Sequence, residues 1–268
     1  MATTRFQRRI LRLLAPSRKE RESYVAGGVA LNTLLRTPRR SQDIDLFHDT
    51  HEAVVETIAL DRRLLRETGY ELILLREAPT FAEAEIRLGG ESTLIQWAQD
   101  SAFRFFPLIE DEELGLALSP FDLATNKVLA MAGRLEARDW VDLLTSIERV
   151  QPLGYLAWAA CAKDPGFNPL SLLQEIRRGG RYSQTELDRL DLGGERLDAA
   201  LLGRRWHGAL ESVPPICEAL PAEEVGTCVV GPDGDLFGGD VTVLTEALGR
   251  GEIRFHRGTL GGAWPTFP

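Results

Sequence analysis

The sequence predicts an α+β protein, and three observations carry that prediction. In the first part, "DIDLF" (43–47), "YELILLRE", "AEIRLG" and "STLIQWA" alternate with period 2, while residues 52–68 repeat apolar side chains at helical spacing. From Ser119 to about residue 212 the apolar spacing is almost wholly helical. The last stretch, "GTCVVGPDGDLFGGDVTVLTEALGRGEIRFHRG", mixes strand and helix signals again. The expected organisation is a mixed-sheet core with a basic N-terminal helix over residues 1–118, a helical domain over 119–220 and a small α+β segment over 221–268.

Each element has a local cause. Residues 5–14 form an amphipathic helix that should end before Pro16. Residues 23–26 lead into Gly27-Gly28, and residues 29–35 read as a short apolar helix stopped by Thr37-Pro38. Gly89-Gly90-Glu91 marks a hairpin turn. "SPFD" opens a helix with Ser119 as cap, Pro120 in the first turn and Asp122 three residues after the cap. Leu123, Val128, Leu129 and Met131 continue it, and after "AGRLEARD" a second helix runs through Trp140, Leu143, Leu144 and Ile147. Pro232-Asp233-Gly234 predicts a hairpin, followed by a helix and a last strand.

Composition narrows the class. The 268 residues are 44% hydrophobic and 26% charged, ordinary for a soluble globular protein. No apolar run approaches the roughly 18 residues of a membrane span, and the N-terminus lacks the features of a signal peptide, so a cytoplasmic protein is the simplest expectation. Cys161, Cys217 and Cys228 are too widely spaced for a disulfide framework or a zinc site and read as buried thiols. The net charge of −9 argues against a diffuse nucleic-acid coat. Residues 1–21 nevertheless carry Arg5, Arg8, Arg9, Arg12, Arg18, Lys19 and Arg21 against Glu20. That arm either guides a polyanion or forms the solvated face of a helix whose Phe6, Ile10, Leu13 and Leu14 turn inward.

The stretch "YVAGGVALNTLLRTPRRSQDIDLF" (24–47) carries chemistry. On a strand Asp43 and Asp45 share one face about 6.5 to 7 Å apart, while Ile44 and Leu46 anchor the other. Two carboxylates so close repel one another, and a divalent cation resolves the repulsion. Mg²⁺ takes oxygen ligands from a carboxylate pair and from substrate phosphates. Gly27-Gly28 opens a helix whose first N–H groups can meet a phosphate, and Arg39, Arg40 and Ser41 lie between. Helix-opening glycines before such an acidic pair resemble the signature of the DNA-polymerase-β-like nucleotidyltransferase superfamily.

The second informative block is "SPFDLATNKVLAMAGRLEARDWVDLL" (119–144). Lys127 is one of three lysines, with Lys19 and Lys163, in a chain that otherwise uses arginine. It is either a compact ammonium wanted at that place or a stem reaching for the surface. Asp139 and Asp142 share a helical face beside Arg138. Together G-G-x-A-L, R-S-x-D-x-D-L-F, D-L-A-x-N-K and R-D-x-x-D-L resemble the AbiEii-type nucleotidyltransferase toxins of bacterial toxin–antitoxin systems, over residues 24 to about 147.

The resemblance implies a polymerase-β-like core and Mg²⁺-dependent transfer of a nucleoside monophosphate from an NTP to an acceptor, with the tRNA 3′ end as the RNA case and an antitoxin protein as partner. By position, Asp43 and Asp45 would hold metal, and Gly27, Gly28, Arg40, Ser41 and Arg138 would serve the nucleotide. Lys127 would neutralise phosphate charge, and Asp142 with Asp139 would complete the catalytic set. Gln96 stands where the superfamily places a third carboxylate, and Asp142, Asp100 or Glu85 are the candidates to replace it. The alternatives are a protein or small-molecule acceptor, or a non-catalytic nucleotide- or partner-binding member. His48 and His51 lack a third ligand, "RRWH" (204–207) reads as a clamp for RNA or as a helix face, and residues 221–268 show no chemistry.

Overall fold

The computed structural model describes residues 2–266. In chain order its elements are α1 (Arg5–Lys19), β1 (Tyr24–Ala26), α2 (Gly27–Leu34), β2 (Asp43–His48), α3 (His51–Glu67), β3 (Glu71–Ala78), β4 (Phe81–Leu88) and β5 (Glu91–Gln99). There follow β6 (Phe103–Arg104), β7 (Ile109–Asp111), β8 (Gly115–Ala117), α4 (Pro120–Gly133), α5 (Ala137–Arg149), α6 (Leu153–Ala160) and α7 (Pro169–Arg178). The last are α8 (Gln184–Leu187), α9 (Ala199–Ala219), β9 (Thr227–Val230), α10 (Val241–Gly249), β10 (Arg254–Arg257) and β11 (Thr259–Leu260). No helix among the described residues is long and apolar enough to cross a membrane.

The chain divides into two compact units. The first holds the residues up to Ala102 with Leu108–Ser119 and Asp191–Gly194. Its seven-stranded mixed sheet has the order β3-β4-β5-β2-β1-β8-β7. The antiparallel meander β3-β4-β5 turns at Gly89 and Gly90, whose φ of 59° and 84° are those a tight two-residue turn requires. β2 runs parallel to β5 and antiparallel to β1. Ile44, Leu46, Ile95 and Trp97 bury one face of these strands, against which α1 and α3 pack. The α+β class, with a mixed sheet in front and helices after it, is the one the sequence predicts.

α1 corrects one expectation, for it runs through Pro16 to Lys19. Pro16 is exposed, and it forgoes only the bond to the carbonyl of Arg12. The last turn is held by Arg18, which is fully buried and donates from Nη2 to the carbonyls of Leu11 (3.1 Å) and Leu114 (2.5 Å). Part of the basic arm meets the acidic body: Lys19 pairs with Glu110 at 2.7 Å, Arg8 lies 3.9 Å from Glu113, and Arg9 pairs with Glu91, while Arg5 and Arg12 are exposed. Phe6, Ile10, Leu11 and Leu14 are buried, and Leu13 is half-buried.

The second unit holds Phe103–Pro107, Pro120–Leu190 and the chain from Glu195 onward. Its core gathers Phe105, Phe121, Trp140, Leu143, Leu156, Trp206 and Val213. The expected hairpin at Pro232-Asp233-Gly234 forms as a short one: the antiparallel bridge of Val230 to Leu236 is flanked by the N–H of Gly231 on the carbonyl of Asp235 (2.8 Å) and that of Phe237 on the carbonyl of Val229 (3.1 Å). β9 also pairs antiparallel with β10, the expected last strand, while Gly231, Gly234, Gly238 and Gly239 keep the hairpin's second arm short. Asp122 is fully buried, accepts from the N–H groups of Phe105 (2.9 Å) and Phe106 (3.1 Å), and lies 3.0 Å from the ammonium of Lys163. Cys161, Cys217 and Cys228 are free thiols of this unit; burial pushes the first two up to about 12 and the third well above its ordinary range.

Two titrating groups lie under the sheet of the first unit. Burial pushes Asp61 up to about 6, against the opposing pull of the indole N–H of Trp97 (2.8 Å) and the charge of Arg18. Burial pushes His48 down to about 4, although its Nδ1 lies 3.3 Å from the carbonyl oxygen of Ala98. Between pH about 4 and 6 folded Asp61 keeps a proton that the unfolded chain has released, so its contribution to stability falls as pH rises. Over about 4 to 6.5 the unfolded chain binds a proton that folded His48 refuses, so that contribution rises with pH. The two slopes oppose each other in the native protein. Asp61→Asn should therefore give stability that rises from pH 4 to 6.5, and His48→Gln stability that falls, each by on the order of 2 kcal/mol. Urea denaturation across that range checks this, and two slopes of the same sign would refute it.

Candidate active site

The front face of the first unit's sheet is built around Asp45. β1 ends at Ala26, whose register partner is Asp45, and α2 begins at the next residue. Gly27 has φ +61°, and a Cβ placed there would stand 1.8 Å from Oδ2 of Asp45. Only glycine fits. A Cβ on Gly28 would likewise stand 2.5 Å from Nη2 of Arg39 and 2.9 Å from Oγ of Ser41. Ala26, the N-cap, is extended and makes no side-chain cap, and the first turn of α2 carries no acid. The backbone N–H groups of that turn thus begin the helix without a capping side chain, as an anion at a helix start requires.

Asp43 and Asp45 are half-buried, while Ile44, Leu46 and His48 between and beyond them are buried. Ser41 donates from Oγ to Oδ1 of Asp43 at 3.0 Å. The expected grouping of Gly27, Gly28, Ser41, Asp43 and Asp45 is therefore assembled in one place. Arg40 meets Asp191: its N–H donates to that residue's carbonyl at 2.8 Å, and its guanidinium lies 3.7 Å from the carboxylate. The cation beside Gly28 is the buried Arg39, to which the motif assigns no role.

The sheet register gives the acids an order that no local motif displays. Asp45 faces Gln96 on β5, and Gln96 faces Glu83 on β4. Gln96 donates from Nε2 to Oε1 of Glu83 at 2.8 Å. Glu83 thus stands one strand beyond the position of the absent third carboxylate, about 10 Å from Asp45 between Cα atoms. Glu85 lies one rung away, across Leu94 from Asp43, and is tied to Arg87 at 2.6 Å. Asp100 lies four residues past Gln96, about 13 Å along the strand direction. Its N–H donates to the carbonyl of His48. In the sequence Glu83 is one of two acids in "FAEAEIRL"; strand pairing singles it out.

In the second unit Lys127 of α4 is buried, with its ammonium 2.7 Å from Oδ1 of Asp139 and 2.9 Å from Oδ2 of Asp142, both on α5. Arg134 adds a two-pronged contact to Asp139, at 2.7 and 3.2 Å. Burial pushes Asp139 upward, but Lys127 and Arg134 outweigh it and hold the carboxyl below the usual range. Two cations and two anions leave the group neutral, which is how charge is tolerated in a core. The sequence picks out three of these four, Lys127 by its rarity and Asp139 and Asp142 by helical spacing; the arginine it adds is Arg138, half-buried on α5, rather than Arg134. Among the described residues no three His, Cys, Asp or Glu side chains are grouped to hold a metal.

The profile described as "Nucleotidyl transferase AbiEii toxin, Type IV TA system" matches residues 9–215, extending the motif resemblance in both directions. No curated protein sequence matches significantly. Among solved structures, a Helicobacter pylori protein assigned as a nucleotidyltransferase superposes with TM-score 0.55 at 14% identity, covering 81% of this chain and 96% of that one. MenT4, a nucleotidyltransferase toxin from Mycobacterium tuberculosis H37Rv, superposes with TM-score 0.54 at 15% identity, covering 81% and 85%. At such identity these likenesses speak for the fold. With the profile spanning most of its length, the chain belongs to the AbiEii family of nucleotidyl transferase toxins of type IV toxin–antitoxin systems.

Proposed function

We propose that this toxin transfers a nucleoside monophosphate from an NTP to the 3′ end of an RNA, with tRNA as the acceptor, and that a cognate antitoxin protein restrains it in the cytoplasm. The observation that carries this reading is the set of Asp43 and Asp45 against the uncapped glycine start of α2. The donor set fits Mg²⁺: two hard carboxylate oxygen donors on one strand face, leaving the remaining positions to phosphate oxygens and water. When bound, Mg²⁺ supplies neutralisation of triphosphate charge.

The chain's own groups would then act as follows. The N–H groups of α2 and the Ser41 turn orient the triphosphate. An acceptor hydroxyl oxygen bonds to the α-phosphorus as the bond from that phosphorus to the β-bridging oxygen breaks, and pyrophosphate leaves. The hydroxyl proton passes to Glu83, whose carboxylate takes the place of the acid that Gln96 lacks. Lys127, held by Asp139 and Asp142, is proposed to neutralise phosphate charge from a preorganised position, with Arg138 beside it.

Incubating the protein with total tRNA, Mg²⁺ and each labelled NTP in turn tests this. Label is expected at an RNA end, with a loss of roughly a hundredfold or more in Asp45→Ala. Label appearing only on protein would replace RNA by a protein acceptor, and no label from a folded, Mg²⁺-supplied protein would remove the reading. Glu83→Gln should lower the rate by roughly 10² with little change in the KM for NTP, and a second change, Gln96→Asp, should recover part of it. An undiminished rate in Glu83→Gln would deny Glu83 its role.

A further inference from the structure

On α1 Arg8, Arg9 and Lys19 meet carboxylates of their own unit; a second cationic place lies in the other unit, where Arg178 pairs with Glu175 and Arg205 with Glu148. In the second unit, "RRGGR" (177–181) at the end of α7 comes beside "RRWH" (204–207) of α9. Between them lies a cavity of about 640 Å³, lined by Arg177, Gly179, Gly180, Arg181, Trp206 and His207. Glu211 also lines it and lies 3.1 Å from Nε2 of His207, so one acid is already engaged there. Arg177 and Arg181 are exposed and have no ion-pair or hydrogen-bond partner among the described residues.

The cavity wall is built to a shape. Trp206 is only 4% exposed, and a Cβ on Gly180 (φ +81°) would stand 2.2 Å from its Nε1. That indole N–H is buried and has no acceptor among the described residues. The place is concave and falls within the volume range of small-ligand sites, unlike the flat, aromatic-rich surface of a protein interface. Two uncommitted guanidinium groups on a chain of net charge −9 select an anion, and their planar forks suit phosphate oxygens.

We propose that this cavity seats a single-stranded stretch of the acceptor RNA, with Arg177 and Arg181 on its phosphodiesters and the Trp206–Gly180 wall against one nucleotide. This rests on the RNA reading above and adds the subsite that would hold the acceptor.

Fluorescence anisotropy of the full chain with a dye-labelled hairpin RNA carrying a single-stranded 3′ end tests it. The variants are R177E/R181E and R177K/R181K, both at exposed positions. The charge reversal should weaken binding at least about tenfold and lower the slope of log affinity against log salt by roughly 1.4, about 0.7 for each single-strand phosphate no longer neutralised. The lysine pair should keep most of the slope, and the KM for NTP should not move. Unchanged RNA affinity in R177E/R181E would overturn the proposal, as would a reversal that spares RNA but abolishes binding of an acidic antitoxin. RNA binding that falls in R177E/R181E while the native protein transfers no label would support the seat and defeat the transfer reading. Label transfer with an unaltered RNA KM in the variant would do the opposite.

Discussion

The front of the sheet depends on one close approach, that of the Gly27 backbone to the carboxylate of Asp45. The space that a side chain would fill is taken by Oδ2, so the chain must turn there in a left-handed conformation and start α2 at once. That turn aims the helix start at the strand carrying both acids, and the pairing of Ala26 with Asp45 fixes the register. A one-residue slip would put Asp43 and Asp45 into the core and Ile44 and Leu46 into water. The apolar side of β2 thus guards the polar side, and the geometry of the acids is a by-product of the packing of Ile44, Leu46, Ile95 and Trp97.

Charge is handled differently in the two units. The first keeps its acids at the front half-exposed and uses α1 to offset others around its edge, such as Glu110 and Glu91. The second buries carboxylates outright and gives each a cation, Lys163 to Asp122, and Lys127 with Arg134 to Asp139 and Asp142. Removing one partner from such a group leaves an uncompensated buried charge, a loss of about 3 to 5 kcal/mol. A lysine is favoured over arginine here for its size: one ammonium can sit between two carboxylates of adjacent turns.

Much of the site was legible because its signals are local. Period-2 alternation located β2 and both aspartates, Gly27-Gly28 located the helix start, and i, i+3 spacing put Asp139 and Asp142 on one face. What escaped is non-local. Glu83 gains meaning only when β4 is laid against β5, and of the two neighbouring arginines Arg39 is placed beside Gly28 only by the folding of its loop. Arg134 lies in the break between two helices, where spacing arguments end. Asp191–Gly194 belongs to the first unit although the residues around it belong to the second, and its contact with Arg40 leaves no trace in composition. At Pro16 a strong local rule yielded to tertiary anchoring by Arg18.

All three thiols lie in the second unit, and burial makes each a poor nucleophile. The first unit has no cysteine at all. The chain therefore contains a native reporter that stays silent while the helical half is closed and speaks when that half opens. Alkylation kinetics would read the opening of that half alone, without an added probe, leaving the half that carries Asp43 and Asp45 chemically untouched.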